Sequence, residues 1–199
     1  MLTVRLILAI AKIHNLYTKA INFVLAFTQA DLKEDIWMQL PVGFQIDGQT
    51  EAESEKCYVL KLNKNLYGLK QGSFNCSEKL KASMVDRDFK PSDIDPGLYI
   101  GNGMVTLTYL DDCIIVGPSI DRIDSFVEST KTFKENFVLT DEGDINKFLG
   151  IEITQLDDKI FKVSQPFLID RIVSFLKIDT NDYGMETSTK PTPVGKPLQ

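Results

Sequence analysis

The chain has 199 residues, 43% hydrophobic and 25% charged, with a net charge of −6 and a pI near 4.9. These values are ordinary globular composition, enough for one domain with a substantial core. They also count against a simple electrostatic nucleic-acid binder, because phosphate binding is driven by Lys and Arg releasing counterions.

Thr3 to Leu16 is rich in Ala, Leu and Ile on nearly all faces and predicts a buried helix. It superficially resembles a signal sequence. However, Lys12 and His14 interrupt it, no small-residue cleavage site follows, and it is too short to span a bilayer, so no membrane partner is expected. Ala20 to Phe27 predicts a core strand, and Gln29 to Lys33 a short polar turn or helix. Ile36 to Leu40 and Tyr58 to Leu62 alternate as strands do, on either side of an acidic surface loop at Asp47 to Lys56. Ser73 to Arg87 predicts a helix with Phe74, Leu80, Met84 and Val85 inward. A loop follows at Pro91 to Gly97. Leu98 to Ile100 and Met104 to Leu107 are predicted strands around Asn102-Gly103, a strong hairpin dipeptide. Asp121 to Asn136 reads as an amphipathic helix, with Ile123, Phe126, Val127, Thr130, Phe133 and then Phe137 recurring at threes and fours. Lys147 to Thr154 and Lys159 to Val163 predict a hairpin across Asp157-Asp158. Gln165 to Leu176 predicts a last helix. Residues 179–199, with Gly184, Pro191, Pro193 and Pro197, predict a disordered tail. This order fits an α+β, ferredoxin-like antiparallel sheet with helices on one face.

Cys57, Cys76 and Cys113 show no CxxC spacing, which counts against structural zinc and a disulfide framework. His14 is the sole histidine, near a helix end, and is a poor candidate for a triad base. The chemistry concentrates at Tyr109-Leu110-Asp111-Asp112, between two apolar, β-branched arms. Adjacent carboxylates between buried strands are costly unless a cation sits there, and hard oxygen ligands suit Mg²⁺ or Mn²⁺. The alternative is a solvated Asp-Asp turn.

Five blocks occur in order: Asn22-Phe23-Val24-Leu25-Ala26-Phe27, Asp35 to Pro41, Leu66-Tyr67-Gly68-Leu69-Lys70-Gln71, Tyr109 to Asp112, and Phe148-Leu149-Gly150-Ile151. Together they resemble the reverse transcriptases of copia-type (Pseudoviridae-like) LTR retrotransposons, from about Thr3 to Pro193. The Leu-Tyr-Gly-Leu-Lys-Gln block and the Tyr-x-Asp-Asp box are specific as a pair.

The resemblance implies a polymerase palm over residues 1–178, with the start of a thumb at about 164–178. It implies RNA-directed DNA synthesis by two-metal nucleotidyl transfer within a retroelement polyprotein. Asp111 and Asp112 would be the catalytic metal ligands for Mg²⁺ or Mn²⁺. Asn22 stands where the family carries its first catalytic Asp, so the site would be weakened. Phe27 would lie under the nucleotide sugar and exclude a 2′-hydroxyl, with Gln71 and Lys70 beside the nucleotide. Phe148, Leu149 and Gly150 would form the primer grip. Each has a plainer reading: strand or core packing for Asn22, Phe27 and Phe148 to Gly150, and a solvated helix start for Lys70-Gln71. Implied partners are an RNA or DNA primer-template, deoxynucleotides and the rest of a polyprotein, in a cytoplasmic particle or the nucleus. The family's basic fingers segment is expected upstream of the matched region. A degenerate remnant that folds without catalysing is the competing reading, and Asn22 favours it.

Overall fold

The computed structural model describes residues 2–44, 46–51, 54, 57–132, 136–157 and 160–177. The chain divides into two units, Met1–Val163 and Ser164–Gln199.

In the first unit, helix α1 (Leu2–Ile13) precedes strand β1 (Tyr17–Phe23). A single turn, α2 (Ala26–Gln29), then leads to β2 (Trp37–Gln39) and β3 (Val59–Lys61). Helix α3 (Gly72–Val85) follows, then β4 (Lys90–Pro91), β5 (Leu98–Gly101), β6 (Met104–Tyr109) and β7 (Asp112–Gly117). Helix α4 (Ile120–Thr132) leads to β8 (Leu139–Gly143), β9 (Lys147–Phe148), β10 (Ile151–Asp157) and β11 (Ile160–Ser164). In the second unit, α5 (Pro166–Leu176) starts with proline in its first turn, where a missing N–H costs nothing, and ends on Lys177 in a left-handed conformation.

The main sheet has six strands in the order β4-β5-β6-β7-β1-β8. Every pairing in it is antiparallel. Strands β1, β6, β7 and β8, with α3 and α4 as connections, form a βαββαβ unit. Strand β7 therefore lies between β1 and β6, and β1 lies between β7 and β8. Smaller sheets pair β2 with β3 and order β11-β10-β9.

Alternation along β7 divides the core. Cys113 and Ile115 join the cluster of α3 and α4 residues, including Leu80, Met84, Ile123, Phe126 and Val127. Ile114 and Val116 face the opposite way, onto Val4, Ile7, Leu8 and Ala11 of α1 and onto Phe148, Ile151 and Ile153. Burial of such side chains contributes about 1.5–3 kcal/mol each. Both faces of β7 are covered, which is why the run reads as continuously apolar.

Several expectations need correction. The helices do not all lie on one face, because α1 packs opposite α3 and α4. Nor is α1 buried on all sides: Val4, Ile7, Leu8 and Ala11 form its inner stripe, while Leu2, Leu6, Ile10 and Ile13 are exposed. Strand β1 stops at Phe23, because Leu25 adopts φ 50° and turns the chain into α2, so Phe27 is helical. On α3 the buried positions are Gly72, Asn75, Cys76, Leu80, Ser83 and Met84, leaving Phe74 and Val85 exposed. Small and amide side chains form part of that stripe, so counting apolar residues misplaced it. Phe148 belongs to a separate short strand, and Leu149-Gly150 turns it into β10. Phe133, Asp158 and the 179–199 tail lie outside the described residues. Among those described, no helix is long and apolar enough to cross a membrane.

Candidate active site

Strands β6 and β7 form a hairpin whose last pair is Tyr109 opposite Asp112. Leu110 and Asp111 make the turn, with Leu110 at φ 55°, a conformation that costs a non-glycine residue energy. Tyr109 and Leu110 are exposed, whereas Asp111 and Asp112 are half-buried. The tip is pinned to β1 by a hydrogen bond from Phe23 N–H to the Asp111 carbonyl at 2.7 Å.

The β1–β7 register sets Asn22 opposite Asp112, not Asp111. The Asn22 amide Nδ2 donates to Asp112 Oδ1 at 3.1 Å. The Asp111 carboxylate meets the Leu66-to-Gln71 block, where both its oxygens accept from the Tyr67 hydroxyl, at 3.0 and 2.8 Å. Burial first, and the bond to Asp111 second, push the Tyr67 phenol up to about 12. Its ring packs on Phe27 with centroids 4.6 Å apart.

The loop carrying Tyr67 is held from beneath. Asn65 is fully buried, and its Nδ2 donates to the carbonyls of Ala30 and Asp31 at 2.9 and 3.1 Å. Its Oδ1 accepts from Asn75 Nδ2 at 3.2 Å. Gln71 precedes α3 half-buried, its carbonyl accepting from Asn75 N–H, and Lys70 is exposed. A Cβ on Gly72 would come within 3.2 Å of the Leu66 carbonyl and 3.8 Å of the Phe27 ring, so the loop folds tightly there.

Clefts flank the hairpin, and two of them hold the predicted site residues Asn22, Asp112 and Phe27. One, of about 370 Å³, is lined by Asn22, Asp112, Glu142, Asn146, Lys147 and the Phe148–Gly150 turn, among others. Phe148 is itself a core residue, so Leu149 and Gly150, at φ 51° and 74°, present the turn outward. The other, of about 560 Å³, is lined by Phe27, Phe74, Tyr99 and Tyr109, among others. Cys76 lies beside it, pushed up to about 11 by burial, so it stays a thiol at neutral pH. Sequence reasoning gave no role to Tyr67, Asn65, Glu142, Asn146 or Lys147. For Tyr67 a signal existed, since it sits inside the most specific block.

Two carboxylates and one amide oxygen are hard donors, and their chemistry suits a divalent cation such as Mg²⁺. Among the described residues no three His, Cys, Asp or Glu side chains converge, so Asn22 is the neighbour that would have to complete the set.

The profile of the family described as "Reverse transcriptase (RNA-dependent DNA polymerase)" matches residues 1–191. The chain belongs to the reverse transcriptase family. It is similar to the Retrovirus-related Pol polyprotein from transposon TNT 1-94 of Nicotiana tabacum, 30% identical over 87% of this chain and 13% of that protein. It is also similar to the Retrovirus-related Pol polyprotein from transposon RE1 of Arabidopsis thaliana, 27% identical over 84% of this chain and 11% of that protein. The Transposon Ty1-DR4 Gag-Pol polyprotein of Saccharomyces cerevisiae is 22% identical over 94% of this chain and 11% of its own length. No solved structure matches the chain. These relatives assign it to the copia-type reverse transcriptases of retrotransposon Pol polyproteins, of whose length it spans about an eighth. The reverse transcriptase family uses divalent metals.

Proposed function

We propose that Met1–Val163 is a ferredoxin-like polymerase palm and that its chemistry is RNA-directed DNA synthesis on a primer-template. The observation that carries this reading is convergence. Asn22 and Asp112 share one cleft with the Phe148–Gly150 turn, and Phe27 with the 66–72 loop abuts Asp111 on the other side. The βαββαβ order of β1, β6, β7 and β8 supports the palm.

Asp111, Asp112 and the Asn22 amide oxygen would hold Mg²⁺ or Mn²⁺, which lowers the pKa of an attacking hydroxyl and neutralises phosphate charge. The chain's own groups do the remaining work. Leu149 and Gly150 face the cleft at Asp112 and would set the primer end. Phe27, stacked on Tyr67, would form a floor that leaves no room for a 2′-hydroxyl. Exposed Lys70 would draw phosphates, and Gln71 would sit at the start of α3 beside them. The rest of a Pol polyprotein would be the covalent partner.

Asn22 favours a second reading, a folded copia-type remnant without catalysis. It supplies no charge to neutralise a cation, and its amide already occupies one oxygen of Asp112. Primer extension on an RNA template with Mg²⁺ or Mn²⁺ decides between them. Template-dependent extension that disappears in Asp111→Asn and Asp112→Asn supports the polymerase. Extension indifferent to both substitutions refutes the site. Absence of extension in the unmodified chain and in Asn22→Asp supports the remnant.

A further inference from the structure

The Tyr67 hydroxyl has one hydrogen and lies 3.0 and 2.8 Å from the two oxygens of Asp111. Sharing that hydrogen puts the phenol oxygen between the carboxylate oxygens, where a chelating cation would sit. The ring behind it is not free to swing, because it stacks on Phe27 at 4.6 Å and 30°. Its loop is anchored by buried Asn65 and folds so closely that Gly72 abuts Phe27. On the other side, the Asp111 main chain is pinned by Phe23 N–H at 2.7 Å and follows the left-handed Leu110. The carboxylate can therefore respond to a cation only through its side-chain torsions, and its resting direction is set by Tyr67.

We propose that Tyr67 is a positioning residue whose hydroxyl competes with a hard divalent cation for the chelating position on Asp111. Through its stack on Phe27, it ties occupancy of that carboxylate to the floor of the nucleotide pocket. The inference rests on the palm reading for the role of Asp111. Chelation by a cation requires the carboxylate to turn until the hydroxyl gives up one of its oxygens, and the strain is felt at Phe27, on which the Tyr67 ring stacks. A cation and a well-seated nucleotide would then be coupled without direct contact between them.

Tyr67→Phe keeps the ring and removes only the competing group. Mn²⁺ binding to the whole chain, followed by electron paramagnetic resonance, should be about three- to tenfold tighter in Tyr67→Phe, the size expected for a partly exposed hydrogen bond to a carboxylate. Asp111→Asn should abolish the gain. In the unmodified chain, Mg²⁺ should produce a tyrosine ultraviolet difference spectrum, a readout that does not depend on any variant folding. Unchanged or weaker Mn²⁺ binding in Tyr67→Phe, with binding still lost in Asp111→Asn, overturns the competition and leaves the palm reading standing. Mn²⁺ binding indifferent to Asp111→Asn in both backgrounds overturns the inference and the metal-site reading together. A missing Mg²⁺-induced tyrosine spectrum in a chain that binds the ion at Asp111 also overturns it.

Discussion

Asn22 donates an amide hydrogen to Asp112 across 3.1 Å, so a carboxylate in its place would face another carboxylate at hydrogen-bonding distance. Asn22→Asp should lower stability without metal by about 1 kcal/mol, a drop of roughly 2–4 °C in midpoint for a chain of this size. The same variant should gain more from Mn²⁺, because a cation that binds only the folded state raises the midpoint and a third carboxylate strengthens that binding. Thermal unfolding with and without Mn²⁺ checks both signs. Equal metal-induced shifts in the two proteins would remove Asn22 from the cation site. The three positions were legible in the sequence as an ordered set, but their pairing was not. Register, which depends on where β1 ends, sets Asn22 against Asp112 and frees Asp111 for Tyr67. No periodicity in the sequence encodes that the 66–72 loop folds back onto the hairpin tip.

That loop is an element in its own right, held by amides, not by apolar side chains. Asn65 bonds Ala30, Asp31 and Asn75, and thus joins the end of α2 to α3 beneath Tyr67. Asn65→Ala removes the side-chain donor from the Ala30 and Asp31 carbonyls, of which Ala30 keeps the Asn65 N–H, and takes the acceptor from the buried Asn75 amide, at an expected cost of about 1–3 kcal/mol in urea unfolding. It should also weaken the Tyr67–Asp111 contact, and the tyrosine difference spectrum with Mg²⁺ should shrink. A stability loss below about 0.5 kcal/mol, the range of ordinary surface substitutions, would show that the network is dispensable. The hairpin at Asn102-Gly103 was legible, and its residues take φ 52° and 68° as the dipeptide demands. The inner face of α3 was not. It uses Asn75 and Ser83 as packing groups, and a reading by hydrophobicity passes over them in favour of Phe74 and Val85.

At the scale of the whole molecule, the alternation within β7 shows why the sheet is covered on both sides, although the order of elements alone suggested helices on one. Electrostatics at this scale yields two expectations. Lys19, nearly buried on β1, reaches Asp124 of α4 at 2.5 Å and Asp141 of β8 at 2.8 Å, tying three elements together. Burial pulls its pKa down, but the bonds to both carboxylates more than offset this and leave it raised. Asp141 is pushed up by burial, yet hydrogen bonds from Lys19 and Gly143 N–H leave it lowered. The Asp141 contribution is therefore present above its unfolded value and fades as pH falls through the lower folded one. The Lys19 contribution is present below its unfolded value and fades as pH rises through the higher folded one. The network should support stability between about pH 4 and pH 10. Lys19→Met should lose about 1 kcal/mol there, a modest figure because both carboxylates are partly solvated. Urea unfolding across that range checks it, and a flat difference from pH 3 to 7 would exclude the Asp141 part. The second expectation follows from the net charge of −6. With 28 acidic against 22 basic side chains, several lysines are already spent internally: Lys19 on Asp124 and Asp141, Lys61 on Asp35, Lys64 on Asp31. The acidic excess repels a duplex and offsets the counterion release that the remaining basic side chains could supply. This chain should therefore bind a primer-template only at low salt, with affinity falling steeply between roughly 50 and 200 mM. Fluorescence anisotropy against salt measures the slope. Tight binding that persists at physiological salt would mean that nucleic acid is held here by stacking and shape, with exposed rings such as Tyr109 and Phe74 the first to substitute.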